Sequence, residues 1–229
     1  MGFTGAGLIG EIAVNHIIKM LQMKKIAYIK SKYISSITPF NNGLLRHPFR
    51  IYSHKEGTLC TIICEIPIAS DGFYSITINL LDWMEEKSLK ELVVLDGLAV
   101  RNISKKRQQN DIRYCTNSFE KNREFKERGL KTSPSGLIQG ITGSILSECI
   151  IRKINGIIFF IPTFLYRPDP EGAAVLINLL NSIYNLDIGI QSLLSKIKEI
   201  EEKLKGIAEF YKKIKEKEMK TKIPKGFYI

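Results

Sequence analysis

GIIFFIPTFLYRPDPEGAAVLINLL, residues 156–180, decides the fold class. Its opening GIIFFIPT, residues 156–163, is the most apolar strand-like run in the chain. Asp169-Pro170-Glu171 then marks a helix start, because proline fits a first helical turn and acids favour the positive end of the helix dipole. The helix predicted from there runs to about Tyr184. A buried strand followed by a helix is the repeating unit of an α/β protein.

The pattern continues outward in both directions. ELVVL at 91–95, ending at Asp96-Gly97, is a fully apolar strand of the kind found in parallel sheets covered on both faces. Strand-like runs are also predicted at Ile26–Ile29, Arg50–Tyr52 and Thr58–Ile66, the last ended by Pro67. Ser75–Glu86 is predicted as a helix capped by Ser75, with Leu80, Leu81 and Met84 on its buried side, and Leu137–Ile151 as another. GFTGAGLIG at 2–10 is a glycine turn entering a helix whose apolar face holds Leu8, Ile12, Ala13, Ile17 and Leu21. Together these predict a mostly parallel sheet between helices, an α/β core over residues 1–190. No strand is predicted before the glycine turn, so the sheet is expected to lack that strand or the chain to start late.

Composition excludes several classes. The 229 residues are 44% hydrophobic and 25% charged, which predicts a packed core. No run of 18 apolar residues and no leader pattern is present, so the expectation is a cytoplasmic protein with no membrane partner. The net charge of +11 is concentrated in two segments. Residues 101–131 carry ten Lys or Arg against four acids, and residues 195–225 carry eleven Lys against six Glu. Such patches attract an acidic protein surface or nucleic acid, but within RNISKKRQQNDIRY, residues 101–114, Tyr114 is the one stacking ring, so a solvated loop is the favoured reading there and nucleic acid is disfavoured.

The candidates for chemistry are thin. Gly5, Gly7 and Gly10 spell G-x-G-x-x-G at a helix start, but without a preceding strand or a following acid. Close packing of turn on helix is the favoured reading, with a nucleotide site as the alternative. His16, His47 and His54 are scattered, and His16 falls on an apolar helix face as a core histidine would. Cys60, Cys64, Cys115 and Cys149 lack metal-site spacing and read as buried thiols, with a disulfide as the alternative. No metal, cofactor or catalytic set is predicted.

The last segment differs in kind. Apolar residues at 193, 197, 200, 204, 207, 211 and 214 form a heptad seam, so residues 191–217 are expected to be one charged amphipathic helix. It packs on its own domain or pairs with another chain. Residues 218–229 are expected to be a flexible tether, ending in Phe227, Tyr228 and Ile229. Two bulky apolar groups around an aromatic ring are costly to leave in water. The tail either folds back or plugs another protein's pocket, where a terminal carboxylate is captured by cations or N–H groups.

GFTGAGLIGEIAVNHI, PFRIY, LLDW, VVLDGL, SGLIQGITGSIL and DPEGAAVLINLL, in this order, resemble the archaeal members of the proteasome assembly chaperone family. The resemblance implies a three-layer α/β/α sandwich similar to purine nucleoside phosphorylases, used as a scaffold and not as an enzyme. It implies a homo-oligomer, trimer to pentamer, acting on the 20S proteasome as an assembly chaperone or ATP-independent activator. It also assigns roles to the tail, which matches the family's hydrophobic–Tyr–any pattern. Phe227 would fill a slot between adjacent α-subunits, Tyr228 would pack at the gate loop, and the Ile229 carboxylate would pair with a pocket lysine. The alternative is a small-ligand binder or enzyme that keeps a phosphorylase-like pocket near Gly5–Gly10 and Gly136–Gly143.

Overall fold

The computed structural model describes residues 1–54, 57–103 and 107–221. Strand β1 (Gly2–Phe3) leads through a 3-10 turn (Ala6–Leu8) into helix α1 (Ile9–Met20). Then come β2 (Lys24–Tyr28), a small hairpin of β3 (Phe40–Asn41) and β4 (Leu44–Leu45), β5 (Phe49–Ser53) and β6 (Cys60–Cys64). Helix α2 (Phe73–Glu86) precedes β7 (Glu91–Ala99), β8 (Arg113–Thr116), α3 (Phe119–Glu127) and β9 (Lys131–Thr132). The chain continues with α4 (Gly140–Arg152), β10 (Asn155–Thr163), α5 (Pro170–Tyr184), α6 (Gln191–Leu194) and α7 (Ile197–Thr221).

Eight strands form one sheet in the order β2-β5-β6-β1-β7-β10-β8-β9. Its centre, β6-β1-β7-β10, is parallel, while β5 and β8 run antiparallel to their inner neighbours. The period of two along β10 shows how the sheet serves two cores. Ile157, Phe159 and Ile161 enter the cluster under α1, α5 and α7. Ile158 and Phe160 enter the cluster under α2 and α4. The result is a mixed α/β sheet flanked by helices.

The expected gap at the start of the sheet is corrected. Gly2–Phe3 is the missing strand and lies in the middle, with Gly2 opposite Ile63 on one side and Leu95 on the other. Two residues carry no readable alternation, which is why the pattern hides it. Helix α2 begins at Phe73, and Ser75 is not its cap; Ser75 Oγ donates to Gly72 O at 3.3 Å. Gly72 packs against Tyr33, whose own Cβ would stand 2.3 Å from a Cβ added there, and a 3-10 turn over Ser70–Gly72 leads into the helix. At α5 the expectation holds: Asp169 accepts from the Gly172 N–H at 2.8 Å, with Pro170 in the first turn. All four cysteines are free.

The heptad segment is two helices, α6 and α7, broken at 195–196, and the second runs past residue 217 to Thr221. Leu193 and Ala208 are buried, and Ile200, Leu204 and Ile207 pack on the core of their own chain. Arg167 and Glu201 tie α7 to the loop after β10 at 3.0 Å.

Candidate functional site

Open α/β sheets place their usable crevice outside the carboxyl ends of the parallel strands. Here that edge begins with the glycine turn. Gly7 takes φ +63°, and a Cβ there would stand 2.4 Å from Thr163 Oγ1. Its N–H donates to Leu165 O and its carbonyl accepts from Asp169 N–H, at 3.2 and 2.9 Å. Gly10 lets α1 rest on β7, since a Cβ would meet Leu95 O at 2.3 Å. The G-x-G-x-x-G run thus does close packing, as the favoured reading expected.

Behind this turn lies a buried ion pair that sequence reasoning missed. Asp169 receives the Arg107 guanidinium through both nitrogens, Nη2 at 2.6 Å, and the Thr163 hydroxyl at 2.6 Å. Burial alone would disfavour the guanidinium charge, but the bonds to Asp169 outweigh it and raise the Arg107 pKa. A second buried group joins Arg50 Nη1 to Glu65 at 2.7 Å beside Glu11. Burial, and next the Glu65 charge, push the Glu11 carboxyl well above its ordinary range.

On the far side of the glycine turn a cavity of about 740 Å³ opens over the ends of β1 and β6 and beside Asp96 and Gly97 of β7. Phe3, Thr4, Gly5 and Ala6 form one side, with Ile66–Ile68 and Asp96–Gly97 beside them. The start of α4, with Gln139 to Thr142, and Phe73 of α2 line it further. Tyr166 and two residues of α7, Tyr211 and Ile214, close the top, with the two tyrosine rings 6.3 Å apart. Burial pushes the Asp96 carboxyl up to about 6, against a bond from the Gly97 N–H.

The other candidates fall away from this place. His16 Nε2 sits 2.7 Å from Gly189 O as a core histidine, and His47 bonds to its neighbour Phe49. Burial pushes the Cys64 and Cys149 thiols up to about 12 and about 11, so neither is a thiolate at neutral pH. Among the described residues no cluster has the makings of a metal site. The basic segment is less free than its charge suggests, with Arg107 paired to Asp169, Lys121 paired to Glu91 and Glu124, and Arg128 paired to Glu124. The expected contact residues Phe227, Tyr228 and Ile229 lie outside the described residues. No helix among the described residues is long and apolar enough to cross a membrane.

A family model described as the PAC2 family matches residues 1–208. An uncharacterized protein of Methanocaldococcus jannaschii is 28% identical over 218 residues, 95% of this chain and 88% of that protein. A solved structure from Thermoplasma acidophilum, of unknown function, shares 33% identity at a TM-score of 0.84, over 95% of this chain and 88% of that one. Pyrococcus furiosus PbaA, described as an archaeal homolog of proteasome-assembly chaperone, shares 25% identity at a TM-score of 0.86, over 93% and 92%.

Proposed function

Because the chain belongs to the PAC2 family, we propose that it works with the proteasome core particle, as an assembly chaperone or ATP-independent activator. The observation that carries this reading is the likeness to Pyrococcus furiosus PbaA, which extends over 93% of the chain at a TM-score of 0.86. The contact is made by Phe227, Tyr228 and Ile229, with Phe227 in an apolar slot between adjacent α-subunits, Tyr228 at the gate loop and the carboxylate beside a lysine. The work is noncovalent: the chain binds, orients and releases, and no bond is made or broken.

A single short segment binds weakly, because ordering it opposes the gain from its few contacts. Several copies on one particle raise the effective concentration of each remaining tail. The reading therefore includes a homo-oligomer, and the exposed hairpin side chains Phe40, Leu44 and Leu45 supply an apolar surface for it.

The test is capture of purified 20S core by the full chain, by a chain ending at residue 226, and by Tyr228→Ala. Capture by the full chain alone is the expected result. Equal capture by the shortened chain would dismiss the tail, and no capture by any of them would dismiss the proteasome reading. Peptide hydrolysis by the captured core separates the two roles, since only an activator raises it.

A further inference from the structure

The cavity over β1 and β6 and beside β7 combines an apolar wall with an uncompensated carboxylate. Asp96 Oδ1 accepts from the Gly97 N–H at 2.7 Å, and no other hydrogen bond or ion pair to this side chain is present among the described residues. The lining includes no Lys, Arg or His. A carboxylate withdrawn from bulk water without a cation is unfavourable, and a fold that keeps one in a cavity gains when a donor arrives from outside.

The walls define the rest of the visitor. Phe73 and Tyr166 line the cavity, and aromatic rings attract flat rings and positive charge; Lys212 Nζ already stands 5.9 Å from the Tyr166 ring centroid. A volume of about 740 Å³ is that of a small-molecule site and is too small for a folded partner. Gly5 keeps the carboxylate accessible, because a Cβ there would stand 2.5 Å from Asp96 Oδ1.

We propose that this cavity binds a flat, N–H-donating small molecule, an amidine-bearing or amino-substituted aromatic ring, whose donor edge pairs with Asp96 while its faces lie against Phe73 and Tyr166. The site is independent of the proposed docking through the chain end. The high pKa of Asp96 agrees with a place where no cation yet stands, and a bound amidinium would lower it.

The probes are benzamidine and adenine, with benzoate and benzyl alcohol as controls, titrated into the full chain by calorimetry and followed by amide NMR shifts at Gly5 and Gly97. Benzamidine is expected to bind with Kd on the order of millimolar or tighter, and the two controls much more weakly. Asp96→Asn keeps the acceptor for Gly97 and removes the charge, so it should weaken benzamidine by about tenfold or more. Tyr166→Leu, at the rim and away from the packed core, should weaken every ring several-fold. Benzoate binding as well as benzamidine, an unaffected Asp96→Asn, or shifts confined to residues far from the cavity would each overturn the assignment. So would the absence of binding by both donor rings.

Discussion

Burial moves the Asp96 carboxyl from its ordinary 3.8 up to about 6, and this has a measurable cost. An acid whose folded pKa is raised holds its proton more tightly in the native state. Stability is unaffected below the unfolded value, falls as pH rises from about 4 to 6, and stays lowered above that. The full shift is worth about 3 kcal/mol, and water in the cavity screens the group, so the true loss is smaller. Asp96→Asn is therefore expected to match the parent at pH 4 and exceed it at pH 7, by no more than about 3 kcal/mol in urea unfolding. A variant that loses stability at pH 7 would show that the carboxylate is held by something beyond Gly97. At the same scale Arg50 and Glu65 are coupled: removing either partner of a buried pair leaves the other charge bare, at about 3–5 kcal/mol.

Among elements, the glycine turn before α1 separates backbone strain from crowding. Gly7→Ala adds both a left-handed alanine and a clash with Thr163, whereas Gly43→Ala, at φ +75°, meets nothing within 4 Å. Gly43→Ala should cost about 1 kcal/mol, and Gly7→Ala at least about 2 kcal/mol more, by urea midpoints with unchanged slope. Equal costs would mean the turn relaxes away from Thr163. Elements with enough residues to show a period were legible: β10, β7, α5 and α1 stand close to where the pattern put them. Elements set by tertiary fit were not. The two residues of β1 have no period, and α4 starts at Gly140 and not at Leu137 because Gly140 takes φ +75°. The cavity was half legible, since the alternative of a phosphorylase-like pocket put it near Gly5–Gly10 and Gly136–Gly143, where Gly5, Ala6 and Gln139–Thr142 do line it, but nothing local placed Phe73 and Tyr166 around it. The pairing of Arg107 with Asp169 was invisible for the same reason, since the partners belong to distant segments.

For the whole molecule, three exposed apolar side chains gather on one hairpin beside the basic α7, where Lys203 Nζ donates to Asn41 Oδ1 at 3.2 Å. Phe40, Leu44 and Leu45 are 72%, 72% and 77% exposed on the β3–β4 hairpin, while Lys121 of α3 and Arg128 just after it are paired with Glu124. Contact between copies through this hairpin is expected to be mainly apolar, with Lys203 at its edge, and only weakly sensitive to salt. Light scattering should give several copies per particle at both low and high ionic strength. Phe40→Asp with Leu45→Lys should shift the mass toward one copy while the circular dichroism spectrum stays unchanged. A parent that runs as a single copy would remove the multivalent part of the proposed role. The central strand has a consequence at this scale too. Gly2–Phe3 is the keystone joining a half-sheet of β2, β5 and β6 to one of β7, β10, β8 and β9. It stops short while β7 continues to Ala99, so the arch stays open directly above it. The thin joint in the sheet and the recess above it are two results of the same missing length.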